Sequence, residues 1–272
     1  MHFSAFRAGW LVAAYVGAVQ AATNATSGIM EVDLVFPRNE TYALNGTFPI
    51  VFAIKNPELV PLLVNTITFT VHEWENLDNF AVADGFDLRW KNHSSDPLFV
   101  YHTFTGLDNE AVWWLTWDVT WGGCTEESLS KKNITYDSYS TSLTFTTSNS
   151  GQAVDLVAGT ASDDCPAIAG IVVEVASTLD VPVGVDWENG DTCAVLADTT
   201  PSATPCEVKI DAATEASMAA SIADNACRAT AVAGCGSSGD DGESASSRLA
   251  VGVVPLSAAA LGALGFVLQS VV

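Results

Sequence analysis

The chain has 272 residues, of which 32 are acidic and 10 basic, for a formal net charge of −22. An acidic field of that size repels nucleic acid and anionic lipid, which excludes nucleic acid as a partner, and it favours solubility in an acidic exterior. It carries no information about the fold.

Residues 1–21 read as a secretory signal. Arg7 precedes the apolar segment Trp10 to Val19, and Val19-Gln20-Ala21 places small residues at a cleavage position after Ala21. From residue 29 onward the pattern is strict alternation, the period of half-buried strands. Met30, Val32, Leu34 and Phe36 share one face, with Glu31 and Asp33 on the other. A turn-rich stretch, Pro37 to Gly46, leads to Phe48, Ile50, Phe52 and Ile54, and Asn56-Pro57 closes that strand. Thr66 to Trp74 sets Ile67, Phe69 and Val71 against Thr68, Thr70, His72 and Trp74. Weaker strands are expected at Phe86–Trp90 and Leu98–Phe104. The clearest runs from Val112 to Trp121, followed by Thr141 to Thr147, Ile171–Ala176 and Val181–Trp187. Short strands separated by Asn, Gly, Pro and Asp predict a mainly β domain over 29–190: an antiparallel two-sheet sandwich, immunoglobulin-like in architecture.

After Asp191 the composition changes. A Pro/Thr linker, Thr199 to Pro205, precedes an Ala-rich helix from Asp211 to about Thr230, with Asp211 as its N-cap. Residues 191–236 are therefore expected to form a short, disulfide-tied helical appendage. Six cysteines in a secreted chain imply three disulfides. Cys227 would lie about 24 Å along the helix from its start, which separates it from Cys206. Pairing Cys124 with Cys165 leaves either Cys193–Cys206 with Cys227–Cys235, or Cys193–Cys227 with Cys206–Cys235. Acceptor sequons stand at Asn24, Asn39, Asn45, Asn92 and Asn133, each in a turn-like stretch where a glycan would be solvated.

The last segment, 237–272, has small residues around Ser237, a polar spacer from Asp240 to Arg248 and an uncharged apolar end, Leu249 to Val272. That order is the signal for replacing a tail by a glycolipid, with Ser237 as the attachment residue. The competing reading is a spanning helix. No Lys or Arg follows Val272 to fix a cytoplasmic end, and Gly252, Pro255, Gly262 and Gly265 weaken a helix.

Several phrases together resemble a known family: Glu31-Val-Asp-Leu-Val-Phe-Pro-Arg-Asn-Glu-Thr41, Phe48-Pro-Ile-Val-Phe-Ala-Ile54, Trp114-Leu-Thr-Trp117, Ala153-Val-Asp-Leu-Val157 and Asp191-Thr-Cys-Ala194, with Lys209-Ile-Asp211 and Ser217-Met-Ala-Ala-Ser221. The chain from about Met30 to Cys235 is similar to a fungal extracellular family, domain of unknown function 7136. The resemblance implies a fungal, secreted, anchored protein and supplies no catalytic residues.

Within the Val112–Trp121 strand, Trp113, Leu115, Trp117, Val119 and Trp121 form an apolar face suited to the core, with Phe52, Phe69 and Phe145 as partners. If that strand neighbours Thr66–Trp74, then His72, Trp74, Trp114 and Asp118 share one outer surface. Indole faces beside Asp and His suit stacking on sugar rings and hydrogen bonds to hydroxyls. Ordinary cross-strand pairing on a solvated sheet is the simpler alternative. Carboxylates at Glu73, Glu75, Asp84, Asp87 and Asp118 could supply the pair that glycosidic cleavage needs, although solvated charge is the better explanation for them. No His-x-x-x-His spacing, nucleophile elbow or phosphate-cradling loop occurs, so no metal, cofactor or catalytic residue is assigned. The sequence thus points to a non-catalytic cell-surface or cell-wall glycoprotein that contacts wall polysaccharide and is held to the membrane by a lipid anchor. A carbohydrate-active enzyme is the alternative.

Overall fold

A computed structural model describes residues 27–230, apart from 45, 64, 164–168, 188–189 and 200. The signal segment, Asn24, Asn45, Cys165, Cys235, Ser237 and the tail lie outside the described residues, as does the side chain of Cys227. The fold is mainly β, with two five-stranded sheets. The first has the order β10 (Thr192–Leu196), β9 (Gly170–Asp180), β1 (Gly28–Phe36), β3 (Phe48–Lys55) and β6 (Leu98–Phe104), and it curls into a half-barrel. The second has the order β2 (Thr41–Ala43), β8 (Thr135–Ser148), β7 (Ala111–Gly123), β4 (Thr66–Glu73) and β5 (Asn76–Asp87). Pairing is antiparallel except between β2 and β8.

The alternating segments form β1, β3, β4 and β7 where expected. Three strands were not anticipated. Residues of β2 fall in the turn-rich stretch, β5 carries Asp and Gly that interrupt its alternation, and β10 lies beyond the change in composition. The boundary at 191 therefore cuts through the first sheet. Conversely, Leu88–Trp90 is a 3-10 turn, and Val181–Trp187 contains no strand. Three short helices, α1 (Val60–Leu63), α2 (Glu126–Ser130) and α3 (Leu156–Thr160), connect strands, and α4 spans Ala212–Thr230. The Asp211 cap forms: its Oδ1 accepts from the Thr214 N–H at 2.7 Å. Among the described residues no helix is long and apolar enough to cross a membrane.

Between the sheets lies the expected aromatic core. Trp113 and Trp117 are fully buried, and Phe52 of the first sheet meets Trp117 and Phe69 of the second at ring-centroid distances of 5.3 and 6.0 Å. Each such side chain contributes about 1.5–3 kcal/mol on burial. The Trp113 indole N–H donates to Thr147 Oγ1 at 2.8 Å, so its one polar atom is satisfied.

The outer face of the first sheet differs from the sequence expectation. Alternation placed Glu31 and Asp33 in solvent, yet both are buried, Asp33 completely. The C-terminal segment folds back as a third layer over them. Val208, Ile210 and Met218 join the main core, Ile210 N–H donates to Thr160 Oγ1 at 2.9 Å, and Tyr101 Oη donates to the Met218 carbonyl at 3.4 Å. Residues 191–236 are thus no loose appendage where they are described. Lys55 Nζ sits at the centre of the covered acids, 3.2 Å from Glu31 and 3.5 Å from Asp33, and donates to Thr204 Oγ1 at 2.8 Å. Thr204 N–H in turn donates to Glu31. Gly170 permits this approach, because a Cβ there would stand 2.7 Å from Ala203 Cβ and 2.8 Å from Asp33 Oδ1.

The disulfide pairing is corrected as well. Cys124, just after β7, is bonded to Cys193 of β10, with Cα atoms 6.1 Å apart. This rules out Cys124–Cys165, Cys193–Cys206 and Cys193–Cys227. Cys206 is also disulfide-bonded, to a partner outside the described side chains. The physical reason is the unanticipated β10. By pairing with β9 it carries Cys193 to the place where the two sheets meet, and the Cys124 N–H donates to the Ala194 carbonyl at 2.8 Å.

Candidate binding face on the second sheet

Strands β4 and β7 are neighbours, and their register decides the face. His72 lies opposite Trp114, Thr70 opposite Thr116 and Thr68 opposite Asp118. Because side chains alternate, the neighbours of these residues along each strand, Val71, Phe69, Leu115 and Trp117, point into the core. Trp74 extends the pairing by one step, its N–H donating to the Val112 carbonyl at 2.8 Å. Its ring meets Trp114 edge to face, with centroids 5.8 Å apart and planes at 70°. Trp74 is 53% exposed.

His72 is held by Leu77, whose carbonyl lies 2.8 Å from Nδ1 and accepts from it when that nitrogen carries the proton. The imidazole also meets Phe80 at 6.2 Å and 65°. Phe80, directly opposite His72 on β5, is 60% exposed, and Leu77 and Val112 are exposed beside it. These three residues were not picked out from the sequence. The signal for Leu77 and Phe80 would have been a strand at Asn76–Asp87, which Asp78, Asp84 and Gly85 conceal, whereas Val112 opens a strand that the alternation did reveal.

The structure therefore brings His72, Trp74 and Trp114 together and sets Asp118 apart. Asp118 is on the same face but four residues along β7 from Trp114, about 14 Å away. Its carboxylate accepts from Ser140 Oγ of the adjacent strand. One row of small hydroxyl side chains lies between, Thr70, Thr116 and Ser142, and Thr68 and Ser140 flank Asp118 in its own row.

Of the other carboxylates singled out from the sequence, Glu75 is exposed and three are engaged locally. Glu73 accepts from Asn109, Asp84 lies 3.3 Å from His102 Nδ1, and Asp87 is forked by Arg89. The Arg89 hydrogen bonds hold Asp87 below the usual carboxylate range. Burial pushes Asp33 up to about 8, with the neighbouring Glu31 carboxylate adding to the effect, but Asp33 lies sealed under the C-terminal layer. An open groove of about 450 Å3 runs past Lys55, Asp96, Glu207 and Lys209. Its lysines are occupied, Lys209 by the carbonyls of Ala161 and Ser162 and by Asp163, so the groove offers an anion little. Among the described residues no three His, Cys, Asp or Glu side chains are grouped to hold a metal. Asn39, Asn92 and Asn133 are exposed.

With this geometry in hand, comparison with known proteins finds a match to a model of a domain of unknown function, DUF7136, over residues 25–237. The chain belongs to the DUF7136 family. The matched DUF7136 region takes in both sheets, the disulfide between Cys124 and Cys193 and helix α4. No curated protein and no solved structure matches the chain.

Proposed function

We propose that the protein is a non-catalytic surface glycoprotein of a fungal cell, secreted and lipid-anchored, that contacts wall polysaccharide through the outer face of its second sheet. The observation carrying this reading is the exposed edge-to-face pair Trp74–Trp114, flanked by Phe80 and by a His72 ring fixed through Leu77. Aromatic faces pack on the C–H surface of a sugar ring, while His and the neighbouring hydroxyls meet its polar rim. Ring planes at 70° and 65° cannot present one flat platform, which favours a single chain over the face of a crystalline polymer. The secretory signal, the tail arrangement and the exposed sequons support the location. We read the fold more finely as immunoglobulin-like. Supporting that reading, β1, β3 and β6 share one sheet and β8, β7, β4 and β5 the other, which follows the A, B, E and G, F, C, C′ strands of a variable-type domain, with β9 and β10 added.

Retention of the secreted protein on insoluble β-glucan and chitin tests the function. Trp74→Ala and Trp114→Ala should each weaken retention about tenfold. Melting temperature should change little, since Trp74 is half exposed and Trp114 lies on the outer face. No retention on any wall polysaccharide, with both variants indistinguishable from wild type, would sink the proposal.

A further inference from the structure

At the far end of the same face stands a second aromatic cluster. Asp87 lies opposite Thr66, and Thr66 opposite Thr120, six residues along from the His72–Trp114 row and so about 20 Å away. Just beyond is Trp90, 78% exposed. It is a supported side chain: the Arg89 guanidinium lies 5.8 Å from its ring centre, and Arg89 Nε is bonded to both Asp87 oxygens at 2.9 and 3.1 Å. Tyr136, exposed and one step past the Thr120 row on β8, packs over Gly122, where a Cβ would stand 3.2 Å from its ring.

Nothing bulky rises between the two clusters. The intervening positions are Thr70, Thr116 and Ser142 in one row and Thr68, Asp118 and Ser140 in the next, with Asp118 hydrogen-bonded to Ser140 and with Ala83 and Gly85 completing the rows at the β5 edge. We propose that the two aromatic clusters are the ends of one binding track that holds an extended, neutral, linear glycan of several rings along the strand direction, with Trp90 and Tyr136 forming a second subsite. The inference rests on the reading of the Trp74–Trp114 end as glycan-contacting. Neutrality follows from charge. The acidic excess repels polyanionic chains, and Arg89, the cation stacked on Trp90, is already bound to Asp87. Extension follows from the distance, because a chain that coils would leave the sheet before reaching the second cluster.

The test is calorimetric titration of the secreted protein, before and after enzymatic deglycosylation so that a sugar on Asn92 cannot mask Trp90. The ligands are cello- and chito-oligosaccharides of increasing length. Affinity should keep rising beyond the disaccharide. Trp90→Ala should weaken the longest ligand about tenfold and leave the disaccharide unchanged, whereas Trp114→Ala should weaken both. A plateau at the disaccharide, or long-chain binding indifferent to Trp90→Ala, overturns the track while leaving the Trp114 site standing. Failure of every length to bind overturns the underlying reading as well.

Discussion

Replacing Asp33 by Asn should raise the melting temperature at neutral pH and flatten its decline between pH 3.8 and about pH 8. Burial is the main cause of the raised Asp33 pKa; Glu31 adds to it, and Lys55 only partly opposes it. Neither Asp33 oxygen accepts a hydrogen bond among the described residues, and three carboxylates, Glu31, Asp33 and Glu207, crowd one ammonium group. The native state therefore keeps a proton across a window in which the unfolded chain, at its ordinary 3.8, has released it. Where the folded state binds more protons, stability falls as pH rises, by up to about 1.4 kcal/mol per pH unit for one group. Between mildly acidic and neutral pH the cumulative loss is about 2–3 kcal/mol, or roughly 5–10 °C in Tm for a domain of this size. Asn is uncharged throughout and can donate to Glu31, so the variant loses this slope. Carboxylates held low, such as Asp87, slope the other way in both proteins and cancel in the comparison. Thermal melts of the two proteins over a pH series decide the matter: curves that stay parallel across the window would show that Asp33 ionises normally.

Removing the bridge between the sheets should have the largest destabilising effect. Cys124 and Cys193 are separated by 69 residues, and closing a loop of that length restricts the unfolded chain by about 4 kcal/mol. Both cysteines are buried, so a Cys124→Ala/Cys193→Ala double variant introduces no stranded polar atom. Its Tm should fall by on the order of 10 °C under non-reducing conditions. The wild-type protein treated with reductant, which also opens the Cys206 bridge, should fall at least as far. A double variant melting within a degree or two of wild type would mean that the hydrogen bond from Cys124 to Ala194 and the packing around it hold the sheets together without the covalent link.

What could be read from the chain followed the strength of each local pattern. Ile67, Phe69 and Val71 alternate with threonines, and Trp113 to Trp121 alternate with Thr and Asp. One face of each strand is therefore committed to the core, and the His72–Trp114 neighbourhood follows once the two strands are adjacent. Strand β5 escaped because its polar interruptions erase the period, and Phe80 and Leu77 went with it. Glu31 and Asp33 were misread for a different reason. Nothing within their own strand distinguishes a solvated acid from a buried one; what covers them is Thr204, 173 residues from Glu31. The same long-range return misplaced the disulfides, since β10 pairs with β9 through a short segment with little periodic signal of its own.

The C-terminal layer has a geometric consequence for presentation. Helix α4 is packed on the outside of the first sheet, through Met218 against Tyr101, and the Trp74–Trp114 and Trp90 clusters occupy the outside of the second. The two lie on opposite sides of the molecule, with the whole aromatic core between them. Any tether made through the end of that helix would hold the domain by its back, with the indole-bearing side turned toward whatever lies in front of it.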